Sequence, residues 1–247
     1  MNRYYYDLHI HSCLSPCGDN DMTPGNIAGM AALKGLQIVA LTDHNSTKNC
    51  PAFFEACKRQ GIIPIAGAEI TTAEDVHIVS LFPTLEAAMA FDEALQEKRM
   101  KIKNRVDIFG DQLILDGEDN VIGTDEYLLP NATMMSIDEA YAFARQFGAA
   151  VYPAHIDRPA NGIVEVLGTL PETPVFSYVE FKDKAAIPGL KEKIPGLAGK
   201  GIIESSDAHY LWDINEAGAF FMLEDEPYSG DFVRAKLFEK LLDPGKF

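Results

Sequence analysis

The sequence predicts an α/β protein, one large domain built as a barrel of repeated β/α units. Short β-branched or apolar runs alternate with longer amphipathic stretches, the pattern of a mostly parallel sheet covered by helices. Seven or eight such runs are present, which suggests closure into a barrel. The length of 247 residues, with 47% hydrophobic and 23% charged residues, is an ordinary globular balance that fills a core.

In chain order, the expected strands are Tyr5 to Ile10, Gln37 to Leu41, Ile62 to Ala68, Val76 to Phe82, Ala149 to Pro153, Tyr178 to Phe181, Gly201 to Glu204 and Ala219 to Leu223. Thr84 caps the helical run that begins Leu85-Glu86-Ala87-Ala88, and Ser136-Ile-Asp-Glu139 reads as a capping box before Ala140 to Phe147, which Gly148 ends. Asp111 to Pro130 breaks the alternation. There Gln112-Leu-Ile-Leu115 and Val121-Ile-Gly123 flank the turn residues Asp116-Gly-Glu-Asp-Asn120, a hairpin signal for a β-ribbon inserted at about 111–130 as a lid or dimer contact. No internal repeat, low-complexity segment or linker divides residues 1–247, so a single barrel domain is expected.

The start, Met1-Asn-Arg-Tyr-Tyr-Tyr-Asp7, lacks the apolar core of a signal peptide, and no apolar run is long enough to span a bilayer, so no membrane partner is expected. Cys13, Cys17, Cys50 and Cys57 form no C-x-x-C pair, and a chain of this length needs no disulfide staples, which points to a cytoplasmic setting. With 37 acidic against 21 basic residues, the net charge of -16 opposes the counterion release that drives general nucleic-acid binding. A long nucleic acid is therefore not expected as a partner, whereas a mononucleotide or short oligonucleotide end remains compatible.

The six histidines lie within or just after expected strands, most with carboxylates close by. His9 and His11 are two apart on an extended run, so both imidazoles point to one face and can converge on one ion. Asp43-His44 follows a strand, Glu69 closes the next, His77 begins another, His155 follows Val151-Tyr-Pro-Ala154, and Asp207 and His209 follow Gly201 to Ser206. The carboxyl ends of strands form the rim where barrel enzymes assemble sites from distant segments. A lone histidine is more often a hydrogen-bonded core or surface residue; the joint pattern decides for a metal site. Imidazole with carboxylate and little thiolate favours Zn, Mn or Fe, and the number of donors leaves room for two or three divalent ions.

Asp7-Leu-His-Ile-His-Ser12, Leu41-Thr-Asp-His-Asn45, Gly67-Ala-Glu-Ile70, the His155 segment and Ser206-Asp-Ala-His209 occur in that order. As an ensemble they resemble the motifs of the polymerase and histidinol phosphatase (PHP) superfamily. The resemblance implies a distorted (β/α)7 TIM-like barrel with a metal cluster at its carboxyl-end rim, and phosphoester hydrolysis. By position it implies one ion on His9, His11, Glu69 and Asp207, and a second that shares Glu69 and adds His77 and His155. A third would take His44, His209 and a residue of the loop after His11. Many relatives have His or Asp in that loop; Ser15-Pro-Cys-Gly-Asp19 stands here, offering Cys17 or Asp19.

Two ions about 3.5 Å apart can activate a water and clamp phosphoryl oxygens during in-line displacement of a small phosphorylated substrate. Asp43 reads first as an orienter of a ligand, and Asp43 or His209 is the candidate that protonates the leaving oxygen. Arg158, three residues past His155, can grip a phosphate bidentately; Lys182 and Asn45 are further substrate-binding candidates. Two other readings compete, an amidohydrolase-type C–N hydrolase and a non-catalytic metal-binding barrel. Glu69 after the third strand and Asp-x-His at the end fit the phosphoesterase pattern better. Oligomeric state is not legible.

Overall fold

A computed structural model describes residues 1–226 and 229–243. The chain runs β1 (Asn2–Asp7), α1 (Pro24–Leu33), β2 (Ile38–Leu41), α2 (Cys50–Gln60), β3 (Ile63–Thr71), β4 (His77–Phe82), α3 (Leu85–Leu95) and α4 (Val106–Phe109). It continues through β5 (Leu113–Leu115), β6 (Val121–Thr124), α5 (Ile137–Arg145), β7 (Ala150–Pro153), α6 (Ile163–Leu167), β8 (Tyr178–Phe181), α7 (Ile187–Lys193), β9 (Gly201–Glu204), β10 (Phe220–Leu223) and α8 (Gly230–Leu242). Thr84 caps α3 by accepting from Ala87 N, and both halves of the Ser136–Glu139 capping box form at α5.

A curled six-stranded sheet in the order β10-β1-β2-β3-β4-β7 makes half of a distorted barrel, and the parallel pair β8-β9 supplies the rest. Closure does not use a continuous ladder. Ile156 N donates to Glu180 O (2.9 Å) between β7 and β8. Between β9 and β1, a parallel bridge joins Ile10 to Ala208, and Ser206 N donates to the Asp7 carboxylate (3.0 Å). β10 pairs antiparallel with the first half of β1, Asn2 to Tyr5, so the eighth expected strand is a flap on the ring and not a stave of it.

Within the ring, β4 runs against the expected direction. The loop from β3 to β4 is a tight turn in which Thr72 N bonds Val76 O (2.9 Å) and Asp75 takes a φ of 64°, and so short a connection can join only antiparallel strands. The reversal sets His77, the first residue of β4, opposite Thr71 at the end of β3. A residue at a strand start thereby reaches the rim where the other strands end.

Two apolar clusters hold the layers together. Outside the sheet, α1, α2, α3 and α5 cover it with Ile27, Phe53, Phe91 and Ala140. Inside, Leu8, Ile38, Ile65, Val79, Leu81 and Tyr152 meet Leu237, Phe238 and Leu241 of α8. α8 is thus a stopper, tied by Arg234 Nε to Pro64 O (3.0 Å) and by Tyr178 OH to Lys240 O (3.2 Å).

The hairpin β5–β6 lies within 111–130 and is packed down. Asn49 brackets it, donating to Leu113 O (3.0 Å) and accepting from Leu115 N (2.9 Å), while Leu113 N bonds Cys13 O (3.0 Å) in the loop after His11. At its tip Asp119 accepts from Gly25 N (3.0 Å) and the Thr23 hydroxyl (2.6 Å) at the start of α1, a favourable place for a carboxylate. Among the described residues no helix is long and apolar enough to cross a membrane.

Candidate metal centre

Local backbone features aim the candidate ligands inward. Beyond β1 the chain stays extended enough that His9 Nε2 and His11 Nε2 lie 3.1 Å apart. In Gly67-Ala-Glu69 the glycine is required by space, because a Cβ there would stand 2.8 Å from Thr42 Cγ2 and 2.9 Å from Leu81 Cδ2. That close fit lets β3 deliver Glu69 to the middle of the rim. Asn45, His155 and Asp207 adopt left-handed φ values of 46°, 27° and 51°, a cost of about 1–3 kcal/mol each that the surroundings must offset. At His155 the backbone N–H is held by Glu180 Oε1 (3.0 Å).

Glu69 is the hub. Its Oε1 lies 2.8 Å from His77 Nδ1, 3.0 Å from His155 Nε2 and 3.4 Å from His9 Nε2; its Oε2 lies 3.0 Å from His44 Nδ1 and 3.2 Å from His11 Nε2. Asp207 Oδ1 stands 3.3 Å from His11 Nε2, 3.5 Å from His9 Nε2 and 3.7 Å from His209 Nδ1. Among the described residues, three groups have donor atoms within 4.8 Å of one another: His9, His11, Glu69 and Asp207; His44, Glu69 and His77; His11, His44 and His209. The first is the four-residue set expected for one ion. The other two share His44, while Glu69 links the first group to the second and His11 links the first to the third; His155 reaches the cluster through Glu69.

The donors fit divalent cations. His44 Nδ1 and Glu69 Oε2, though 3.0 Å apart, are angled for no hydrogen bond, and both are buried without a partner, as is His77 Nδ1. Buried polar atoms are rarely orphaned, and lone pairs that crowd a point without bonding one another suit a cation at that point. Without an ion, burial would lower the His11 and His44 pKa values, but Asp207 and Glu69 beside His11, and Glu69 beside His44, raise both to about 9. Burial would push Glu69 up, yet His77, His9 and His44 hold it well below the carboxylate range. Burial, with the positive charges of His11 and His44 near it, pushes His209 down to about 3 in the ion-free site.

A polar ring behind the ligands fixes their orientation. Asp43 accepts from Ser12 N, Ser12 Oγ and Ser15 Oγ, each at 2.7 Å, and Ser15 Oγ lies 3.0 Å from His11 Nδ1. Asp43 is thus buried behind the cluster with its oxygens engaged, placed to orient His11 and not to protonate a leaving group. Glu180, which sequence reasoning missed, lies 2.8 Å from His9 Nδ1 and points His9 Nε2 at the centre. A carboxylate inside the apolar strand Tyr178 to Phe181 was the signal for it.

The remaining candidates divide. Arg158 and Lys182, about two-fifths exposed, both reach Asp207 Oδ2, the lysine at 3.8 Å, and so stand at the mouth. Asn45 is a brace: its amide donates to Leu129 O (2.7 Å) and Asn131 O (2.9 Å) and accepts from Thr71 N (3.1 Å), which commits it away from any substrate. Cys17 is exposed, and its sulfur lies close enough to His44 to help raise the His44 pKa. Asp19 turns its carboxylate onto its own loop, accepting from Asp21 N (2.8 Å), and belongs to none of the three donor groups.

The PHP domain family profile matches residues 7–130, half of the chain. A 5'-3' exoribonuclease of Haemophilus influenzae is 34% identical over 102 residues, 38% of this chain and 36% of that protein. A 3',5'-nucleoside bisphosphate phosphatase of Chromobacterium violaceum is 33% identical over 100 residues, 38% of this chain and 34% of that protein. The matches therefore span about a third of each relative. Across the whole fold, the lesion-specific endonuclease PfuEndoQ of Pyrococcus furiosus superposes with a TM-score of 0.69 at 18% identity, covering 99% of this chain and 57% of that one.

The expectation that a long nucleic acid is not a partner is overturned. Relatives include exoribonucleases, and an endonuclease Q in complex with a 27-mer duplex substrate shares the fold at a TM-score of 0.67 and 18% identity, over 99% of this chain and 57% of that one. Net charge misleads here because it averages over the surface, whereas each bound divalent cation adds two positive charges at the one place where phosphate would sit. The ordered motifs, the Glu69 hub and the profile match over half the sequence together make this chain a member of the PHP domain family.

Proposed function

We propose that this protein is a metal-dependent hydrolase of phosphate esters, acting on a nucleotide phosphate, either free or at the end of a nucleic-acid strand. The observation that carries the reading is Glu69, one buried carboxylate whose two oxygens lie within 3.4 Å of five imidazoles, with Asp207 beside them. That donor set would hold two or three ions of Zn, Mn or Fe, with His9, His11, Glu69 and Asp207 taking one and Glu69 shared with His77, His44 and His155. Bound there, divalent cations supply Lewis-acid stabilisation of the phosphoryl oxygens and an activated water.

The chain's own residues do the rest. Arg158 and Lys182 stand where a substrate phosphate would displace them from Asp207, and a guanidinium grips two phosphate oxygens at once. Burial of the cluster keeps bulk water out and strengthens each of these contacts. A cleft of about 450 Å³, lined by Pro16, Cys17, Ile108, Phe109, Leu128 and Pro130, opens beside His44 through Cys17 and has room for a nucleoside.

The test pairs elemental analysis of protein purified without chelators with a panel of nucleotide and oligonucleotide phosphate esters, for the wild type and Glu69→Gln. The expected result is two to three metals per chain and ester hydrolysis, with metal content and turnover both falling in the variant, turnover by about 100-fold or more. A metal-loaded wild type inert on every ester, or an unaltered variant, would remove the reading.

A further inference from the structure

The chain has one tryptophan, and it is not in the core. Trp212 is 78% exposed and Tyr210 52% exposed, immediately after the Ser206-Asp-Ala-His209 segment that enters the metal centre. Three residues of chain span at most about 11 Å, so the backbone of Tyr210 and Trp212 lies within that distance of His209. Their backbone is pinned. Lys34 Nζ donates to Trp212 O (2.8 Å) and Ile214 O, Asp213 N bonds Tyr210 O (3.0 Å), and Asn215 N bonds the buried Asp7 carboxylate (3.1 Å). Leu211, between the two, packs against the outer core. The turn is therefore rigid and inward-anchored, yet its two aromatic rings face water.

We infer that Tyr210 and Trp212 form a stacking platform for the bases of a single-stranded nucleic acid whose phosphate enters the metal centre. The inference rests on the phosphoesterase reading above and narrows its substrate to a strand. Aromatic rings held beside a cationic edge are how proteins bind single strands without reading sequence, since every base has a π-face. The cationic edge is present: Arg158 and Lys182 converge on Asp207, three residues before Tyr210, in a chain that is otherwise strongly acidic. A backbone that needs no reordering on binding loses little entropy when a base settles on its rings.

The single indole is its own reporter. Wild-type protein is titrated with a short oligodeoxythymidylate carrying phosphorothioate linkages to slow hydrolysis, and tryptophan emission is followed. Saturable quenching is expected, with affinity reduced about tenfold or more in Tyr210→Ala, which keeps the reporter. In Trp212→Ala the ratio of kcat/KM for an oligonucleotide to that for a mononucleotide should fall by a similar factor. Unchanged emission at saturating oligonucleotide overturns the platform, whether or not esters are hydrolysed. Quenching by a protein that hydrolyses no ester supports the platform and removes the activity reading instead. A concentration-dependent emission shift without oligonucleotide, matched by a dimer in sedimentation velocity, assigns the rings to contact between copies and also overturns it.

Discussion

Ser15 shows how one hydroxyl can organise a metal centre. Its Oγ lies 3.0 Å from His11 Nδ1, accepts from His44 N (3.1 Å) and donates to Asp43 (2.7 Å), so the proton of His11 sits on Nδ1 and Nε2 is left to ligate. Replacing Ser15 with Ala should weaken metal affinity about 10- to 100-fold while the fold persists. Metal titration with a competing chelator would measure it, and wild-type affinity in the variant would mean that His11 is oriented by other contacts. At this scale much was legible. His9, His11, His44, Glu69, His77, His155, Asp207 and His209 are residues whose chemistry announces itself, and the structure gathers them. Ser15 was not legible as part of the site, and Glu180 showed only as a carboxylate inside an apolar strand, because both acquire their roles from the imidazole across from them.

Among the elements, the excursion between α3 and α5 is stitched by polar side chains more than by apolar packing. Asp125 accepts from both terminal nitrogens of Arg99 (3.0 and 2.8 Å) and from Lys48, while Gln112 donates to Asp125 O and Tyr127 O (2.9 Å each). Burial would raise the Asp125 pKa, but Arg99 and Lys48 outweigh it and lower it to about 2. A carboxyl with a depressed folded pKa stabilises the fold above its unfolded pKa and loses that contribution as pH falls through the folded one. The contribution is about 2 kcal/mol, fully present above about pH 4 and lost on descending to about pH 2. Replacing Asp125 with Asn should therefore lower stability at neutral pH by about that amount and flatten the acid limb, as urea unfolding at pH 7 and below pH 3 would show. An equal deficit at both would contradict it. The hairpin turn was visible as Asp116 to Asn120; its seat against α1, α2 and the loop after His11 was not, since Asn49 and Asp119 carry no local sign of their distant partners.

For the whole molecule, the barrel concentrates buried ionisable groups at one end and apolar packing with α8 at the other. Glu69, Asp207, His9 and His11 are all buried, and a cation that binds only the folded chain stabilises it by mass action. At ion concentrations of about 100 Kd the gain is about 2.7 kcal/mol, so chelation should lower Tm by about 5–10 °C in a chain of this size. Differential scanning calorimetry before and after chelator, with recovery on adding Zn or Mn, would check this, and an unmoved Tm would show that the cluster tolerates being empty.

Periodicity, turn residues and ligand chemistry are local properties, and from them the sequence by itself determined the α/β class, the strand runs other than the first, which is Asn2–Asp7 and not Tyr5 to Ile10, the caps at Thr84 and Ser136, and a histidine–carboxylate cluster with the chemistry to hold metal. Tertiary structure alone decided that β4 runs backwards to bring His77 to the rim, that His44 is shared between donor groups, that Asn45 braces, and that α8 plugs the barrel. Apart from the tight β3–β4 turn, those features depend on residues that meet from distant parts of the chain, from Asn45 with Leu129 to Arg234 with Pro64. Such meetings follow from closing the whole sheet, which no local window of sequence records.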